Sequence, residues 1–438
     1  MNPRLRVLLI GRHFWPHGSV DSAGYLIQLA SGLQRRGIHV EVLTPRYASA
    51  WTTEMDFREI KVHRPFAAPK SDWSMSRYLR SIGNWLNEHA AAFDVLLVDS
   101  AREEAIATVE SAKSLSAQSS NSSGNGSGAV RAVVRVSGYG DQSDRLWWES
   151  SRSSRRCAGF TKRADKVIVG SAEDERALLS QGFASSMVSR IDDGFDQAVS
   201  RTPSNRVEAR RALTAINGDF HAPANESVAL CVTNMARDSN TQILVESARH
   251  LIARYSDLHL WLIGDGPRRD SIFQSLRGDG IRASIAMPGS FGNMEDVYRA
   301  ADLFIHIDDT GMQNFLPNAI AAELPLVAID NPQTRVRLKS ELKTTPSNQS
   351  AQSNADTEST NADFVHWFQL SSPKTFRKAV RSALDDLDDS QQKAANLKRN
   401  LIRARSFSDT IDDYALMLEQ VRRQRSSHQG GSSFGAVS

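Results

Sequence analysis

The sequence predicts an α/β protein whose parallel βαβ units are spread over two domains. Three observations carry that expectation. Short apolar runs of strand length recur along the chain, at residues 4–10, 93–98, 132–136, 227–232, 258–263 and 326–329. Strands buried on both faces of a parallel sheet read as near-continuous runs of this kind. Between them lie segments whose apolar residues sit at helical spacing, the alternation from which crossover units are built. Finally, residues 197–225 interleave two prolines and two serines with other polar side chains and divide the chain into two such series.

The densest unit is residues 301–330, ADLFIHIDDTGMQNFLPNAIAAELPLVAID. Leu303 to Ile307 reads as a short buried strand that breaks on Asp308-Asp309. From Phe315 to Ala322 the apolar positions are helical, and Pro317 fits only in the first turn. Leu326 to Ile329 is the next strand. Gly311, Gln313 and Asn314 fall in the loop between strand and helix. Parallel sheets bind ligands at that point, where the helix start offers unpaired N–H groups.

Bulk properties exclude several classes. The 438 residues, 40% of them hydrophobic, suffice for two or three cored domains. A net charge of +3 is too small to argue for nucleic acid, and no nucleic-acid motif accompanies it. Two cysteines, Cys157 and Cys231, give no disulfide framework and suggest a reducing compartment. The start, Met-Asn-Pro-Arg-Leu-Arg, leads into a strand without a signal-peptide core, and no apolar run approaches about 20 residues. A soluble, cytoplasmic protein is expected.

In chain order, residues 4–10 form a strand, residues 11–23 a polar loop and residues 25–36 a helix closed by Gly37, before the strand 39–43. The loop holds only Gly11, Gly18 and Gly24, so the G-x-G-x-x-G dinucleotide fingerprint is missing and NAD is excluded. Strand 93–98 is followed by a helix over 103–112. Residues 114–129 (LSAQSSNSSGNGSGAV) are too polar to bury a core and read as a disordered insertion. After strand 132–136 come Ser137, Gly138, Asp141 and Asp144, the aspartates reading as solvated loop residues. Ala164-Asp165-Lys166-Val167-Ile168-Val169-Gly170-Ser171 runs from strand into an N-capping serine, and Val188 to Asp196 ends the first series on Asp193-Gly194. Residues 197–225 read as a linker with a short helix at 206–213. Strand 258–263 leads into Gly264-Asp265-Gly266-Pro267-Arg268-Arg269. Residues 344–363 form a second low-complexity insertion, 408–423 an amphipathic helix, and 426–438 a disordered tail.

Taken in order, these stretches resemble the family-4 ("group 1") glycosyltransferases, which are retaining and nucleotide-sugar-dependent. Pro16-His17-Gly18-Ser19 resembles the family's P-x-G-S loop, and Leu29-Ala30 to Thr44 its L-A-x-x-L-x-x-R-G-x-x-V-x-V-L-T run. Residues 164–196 resemble A-D-x-V-I-x-x-S and V-x-x-I-x-N-G-V-D, residues 262–269 I-x-G-x-G-P-x-R with Leu262 at the isoleucine position, and 298–305 Y-x-x-A-D-x-F-x. Thr310 to Ala328 faces the signature E-G-x-P-N-x-x-x-E-A-x-A-x-G-x-P-V-V-A, with Thr310 and Asn318 at its two carboxylate positions. The resemblance implies the GT-B fold, two Rossmann-like doubly wound domains facing each other across a cleft. It spans nearly the whole chain apart from the insertions and tail.

What the resemblance implies for the site can be carried over position by position. Gly18, Ser19, Asn234, Gly264, Asp265, Gly266, Gly311, Asn314 and Asn318 are expected to contact the donor. Arg237, Thr310 and Ser137 are the candidate catalytic positions. Ser137 stands where the family usually has a histidine, while Asn234 and Ser239 stand on its phosphate-binding arginine and lysine, leaving Arg237 as the cation of that loop. The amide oxygen of Asn318 accepts from ribose more weakly than a carboxylate does. With no D-x-D element in a strand–loop context and no metal-ligand spacing, no metal and no cofactor are expected beyond a UDP- or GDP-type nucleotide sugar as co-substrate. The expected partners are that donor and a glycan or lipid-linked acceptor. Trp147-Trp148, and residues 73–85 with Arg77 and Arg80, are candidate acceptor- or membrane-facing surfaces. Substitution of four donor-facing positions keeps a second reading open, a catalytically inactive GT-B relative that binds a sugar, nucleotide or protein. The helix at 408–425 is expected to pack back on the first domain.

Overall fold

A computed structural model describes residues 4–121, 129–196, 201–236, 239–278, 280–340 and 360–427. The chain divides into two compact units. Unit 1 holds residues up to Trp15, Ser22–Asp193 and the chain from Ser408; unit 2 holds Pro16–Asp21 and Gly194–Phe407.

Unit 1 is built on an eight-stranded sheet. Its strands are β1 (Arg6–Ile10), β2 (His39–Leu43), β3 (Glu54–Phe57), β4 (Ile60–His63), β5 (Val95–Val98), β6 (Arg131–Val136), β7 (Lys166–Val169) and β8 (Val188–Arg190). They lie in the order β3-β4-β2-β1-β5-β6-β7-β8, parallel except for the β3–β4 hairpin. The order reverses between β1 and β5, the point where doubly wound sheets open a crevice at their carboxyl ends. Helix Asp21–Arg35 buries Leu26, Leu29 and Leu33, which recur at helical spacing.

Helix Glu103–Asn121 continues nine residues beyond the expected stop at residue 112. The start of the predicted insertion is therefore helical. Leu115 packs on the core and the Ser116 hydroxyl donates to Val130 O at 3.2 Å, so tertiary contacts outweigh the weak helix propensity of serine and asparagine. The rest of that insertion, from residue 122 to 128, lies outside the described residues. Trp148 is not a surface residue: it is 3% exposed and its indole N–H donates to Ala101 O at 2.8 Å. The closing helix, Phe407–Ser427, belongs to unit 1 from Ser408 onward, with the remainder of the expected tail outside the described residues. Ile411 lies directly over Gly32, where an added Cβ would stand 2.7 Å from its side chain, and Arg36 pairs with Asp412 at 2.8 Å.

Unit 2 carries a six-stranded, fully parallel sheet. Its strands are β9 (Ser227–Val232), β10 (Leu258–Ile263), β11 (Ile285–Gly289), β12 (Leu303–His306), β13 (Leu326–Ile329) and β14 (His366–Phe368), in the order β11-β10-β9-β12-β13-β14. Both faces are covered. Trp261, Phe304, Leu316 and Leu401 pack on one, and Leu244, Leu260, Ile305 and Phe376 on the other.

The described part of the segment read as a linker is part of this unit's core. Helix Pro203–Ile216, N-capped by Thr202, buries Ala209 and Leu213. Arg201, Arg206 and Arg210 converge on the Asp302 carboxylate at 2.6–2.7 Å. Residues 360–363 of the second predicted insertion are likewise ordered, in a short 3-10 turn with a Thr360–Asp363 capping box. Residues 344–359 lie outside the described residues.

Candidate functional site

In unit 2 the strand order reverses between β9 and β12. Around their carboxyl ends gather the loops that follow β9, β10 and β12. The first two approach main chain to main chain. A Cβ on Gly264 would stand 1.8 Å from Thr233 O, and one on Gly266 2.4 Å from Asn234 O. Gly264 also has φ +131°, and Arg268 N donates to Met235 O at 3.1 Å. Asn234 is exposed, as is Asp265, whose Oδ1 accepts from Gly266 N at 2.8 Å.

The loop after β12 is tied to this pair. Asn240 Nδ2 donates to Ile307 O at 2.8 Å, and Thr233 Oγ1 to Asp308 Oδ2 at 3.4 Å. Thr310 turns inward, donating both its N–H (3.0 Å) and its hydroxyl to Asp308 Oδ1. Burial pushes the Asp308 carboxyl up, against the lowering effect of the Thr310 bonds. Gly311 turns the chain at φ +85°. Asn318 Nδ2 donates to Asn314 Oδ1 at 2.9 Å, so the two amides orient one another one turn apart. His306, at the end of β12, is held neutral because burial pushes its imidazole down to about 4.

The loop Pro16–Asp21 belongs to this unit as well. Gly18 meets Gly292, where a Cβ would stand 2.3 Å from the carbonyl oxygen, and Ser19 Oγ accepts from Phe291 N at 2.9 Å. Asp21 was not foreseen. Its carboxylate accepts from Gln313 N (3.0 Å), Asn314 N (2.8 Å) and Phe315 N (3.0 Å), the N–H groups that open helix Phe315–Ala321. These are charge-assisted bonds to groups the helix cannot pair itself. No local signal marks Asp21, because its partners lie almost three hundred residues away in the chain.

Ser137 lies in unit 1. Its N–H and hydroxyl donate to Asp144 Oδ2 at 3.0 and 3.1 Å. Asp144 is 1% exposed and also accepts from Ala101 N and Arg102 Nε at 2.8 and 2.7 Å, so it is a buried anchor and not a solvated aspartate. Asp141 is exposed. The structure thus brings Asn234, Gly264, Asp265, Gly266, Thr310, Gly311, Asn314 and Asn318 to the carboxyl ends of β9, β10 and β12, and holds Gly18 and Ser19 on a separate loop of the same unit. Arg237 lies outside the described residues.

In unit 1, Arg135 Nη1 donates to Asp99 Oδ1 at 2.9 Å, and its Nη2 lies 3.6 Å from Asp193 Oδ2. Tyr25 and Tyr139 donate to Asp193 at 2.8 and 3.0 Å, and Tyr25 also reaches the Tyr414 hydroxyl at 3.4 Å. Burial pushes the Asp99 carboxyl up to about 7 despite Arg135. The folded chain therefore keeps a proton that the unfolded chain releases near pH ~4, so stability falls as pH rises from about 4 to 7. Asp99→Asn should flatten the fall in melting temperature between pH 5 and 7.5. An unchanged pH profile would show that Asp99 is ionised throughout.

Two family descriptions match the chain. "Glycosyl transferase 4-like domain" covers residues 23–191, and "Glycosyl transferases group 1" covers residues 226–352. The chain belongs to the group 1 glycosyltransferases. Solved structures agree with this group 1 glycosyltransferase in fold. Sucrose-phosphate synthase of Thermosynechococcus elongatus is 15% identical, covers 97% of this chain and 100% of its own, and superposes with a TM-score of 0.64. HepE of Anabaena, solved with UDP and glucose, is 14% identical over 95% and 100% of the two chains, at a TM-score of 0.66. WaaG, a glycosyltransferase involved in lipopolysaccharide biosynthesis, is 12% identical over 94% and 99%, at 0.63. Each unit of this group 1 glycosyltransferase is a Rossmann-like domain of the GT-B fold. No curated sequence matches the chain significantly.

Proposed function

We propose that this group 1 glycosyltransferase moves a hexosyl group from a UDP- or GDP-sugar to a hydroxyl of a glycan or lipid-linked acceptor. The C1–O bond to the β-phosphate breaks, a C1–O bond to the acceptor forms on the same face, and the acceptor proton departs with the nucleoside diphosphate. The observation that carries this reading is the gathering of the loops after β9, β10 and β12 where the strand order of unit 2 reverses, with Gly264 and Gly266 letting the β9 and β10 loops meet main chain to main chain. HepE, solved with UDP-glucose, supports a uridine donor. Asn318 would accept from ribose, and Arg237 would meet the leaving diphosphate without a metal. Unit 1, with Ser137, would hold the acceptor.

Among the described residues no helix is long and apolar enough to cross a membrane. Trp73, 73% exposed beneath the Arg77 guanidinium at 4.6 Å, would give this cytoplasmic enzyme a peripheral contact with anionic lipid.

Isothermal titration with UDP, GDP and their sugar conjugates tests the donor reading. Saturable binding is expected, weakened about tenfold in Asn318→Ala, the size of one lost hydrogen bond of about 1.4 kcal/mol. Folded protein that binds no nucleoside diphosphate would sink it.

A further inference from the structure

Arg337 ends the short helix Pro332–Arg337 and is 7% exposed. Its Nε donates to Met312 O at 3.1 Å, and its Nη2 donates to Gly194 O at 3.1 Å. The guanidinium carbon lies 4.0 Å from the centroid of the Phe195 ring. These contacts join two places of different kind. Met312 stands between Gly311 and Asn314 in the loop after β12, among the proposed donor contacts. Gly194 is the first residue of unit 2 after the chain leaves unit 1 at Asp193.

That second place is tightly built. Phe195 N donates to Arg405 O at 3.1 Å and Phe407 N to Phe195 O at 2.8 Å, pairing the outgoing chain with the returning one. A Cβ on Gly194 would stand 2.1 Å from Ser406 O, so the two main chains touch. A planar fork with several N–H donors is suited to spanning two carbonyls at once, which a single ammonium on a flexible stem does poorly.

We infer that Arg337 is a positioning residue that fixes the loop 310–314 and the crossover at Gly194–Phe195 as one element, so that order in either segment is felt in the other. The inference rests on the donor-site reading of that loop for its functional meaning, though the physical coupling does not. Arg337 touches neither nucleotide nor sugar in this scheme.

Amide hydrogen exchange on the full chain, in the wild type and in Arg337→Lys, provides the test. Arg337→Lys should raise exchange about tenfold in both 311–315 and 194–196, with the β9 and β12 amides unchanged. UDP affinity should fall about five- to twentyfold, with KM rising and kcat nearly constant. Exchange that rises in only one segment, or in neither, overturns the coupling. Should the lysine variant fail to fold, the wild type alone decides. UDP should then slow exchange in both segments, and slowing confined to 311–315 overturns it. A wild type that binds no UDP removes the donor reading, while the paired rise in exchange in Arg337→Lys still reports on the coupling.

Discussion

Asp302→Ala should destabilise unit 2 by about 3–5 kcal/mol, the range for removing one partner from a buried ion cluster. The carboxylate is 3% exposed and accepts from Arg201, Arg206 and Arg210 as well as from Val228 N at 2.9 Å. Its loss leaves three guanidinia facing one another, of which Arg210 is as buried as the aspartate. Burial already pulls Arg210 down to about 10, and Asp302 is what opposes that pull. Asp302→Asn keeps an acceptor for Val228 N but not the charge, so it should fall between wild type and alanine. The measurement is urea unfolding followed at a unit 2 signal, since two units need not unfold together. A loss under about 1 kcal/mol in Asp302→Ala would mean that water replaces the carboxylate and the cluster is not truly buried.

Gly264→Ala should abolish donor binding and lower stability by several kcal/mol. The added methyl carbon would stand 1.8 Å from Thr233 O, less than the distance any relaxed side chain tolerates, and φ of +131° is strained for every L side chain. The contact is with main chain, so nothing can swing aside, and the β9 and β10 loops must separate. UDP affinity should drop at least about a hundredfold, near 2.7 kcal/mol. Gly278→Ala supplies the control, because nothing lies within 4 Å of the added carbon there. It should be neutral or slightly stabilising, since alanine suits a helix better. Equal effects of the two substitutions would refute the steric account.

Much of the fold was legible because the buried strands of both units are continuous apolar runs, and the glycine pair after β10 falls where the sheet needs one. Local patterning failed where long-range partners decide the structure. Residues 203–216 read as part of a linker with a short helix, because the partner that collects the charge of Arg206 and Arg210, Asp302, lies some ninety residues on. Residues 113–121 carry weak helix formers that Val130 and the core hold in place. Asp144 reads as a polar loop residue, yet its partners lie some forty residues earlier at Ser100, Ala101 and Arg102. The candidate site divides in the same way. Gly264, Gly266 and Gly311 announce themselves by type and spacing, whereas Asp21 and Arg337 act through main-chain atoms of distant segments and leave no mark in the sequence.

The helix Phe407–Ser427 has a consequence for synthesis. Ile411, Tyr414, Leu418 and Val421 are all 0% exposed within unit 1, whose other residues are made first, before most of unit 2. During translation the first domain therefore waits for its last piece, with Gly32 and the surrounding helix face uncovered while more than two hundred further residues emerge. Unit 2, from Gly194 to Phe407, has nearly all of its chain in hand earlier. Nascent chains stalled near residue 405 should hold unit 1 as a protease-sensitive, chaperone-binding intermediate, and release of the final helix should be the step that closes it.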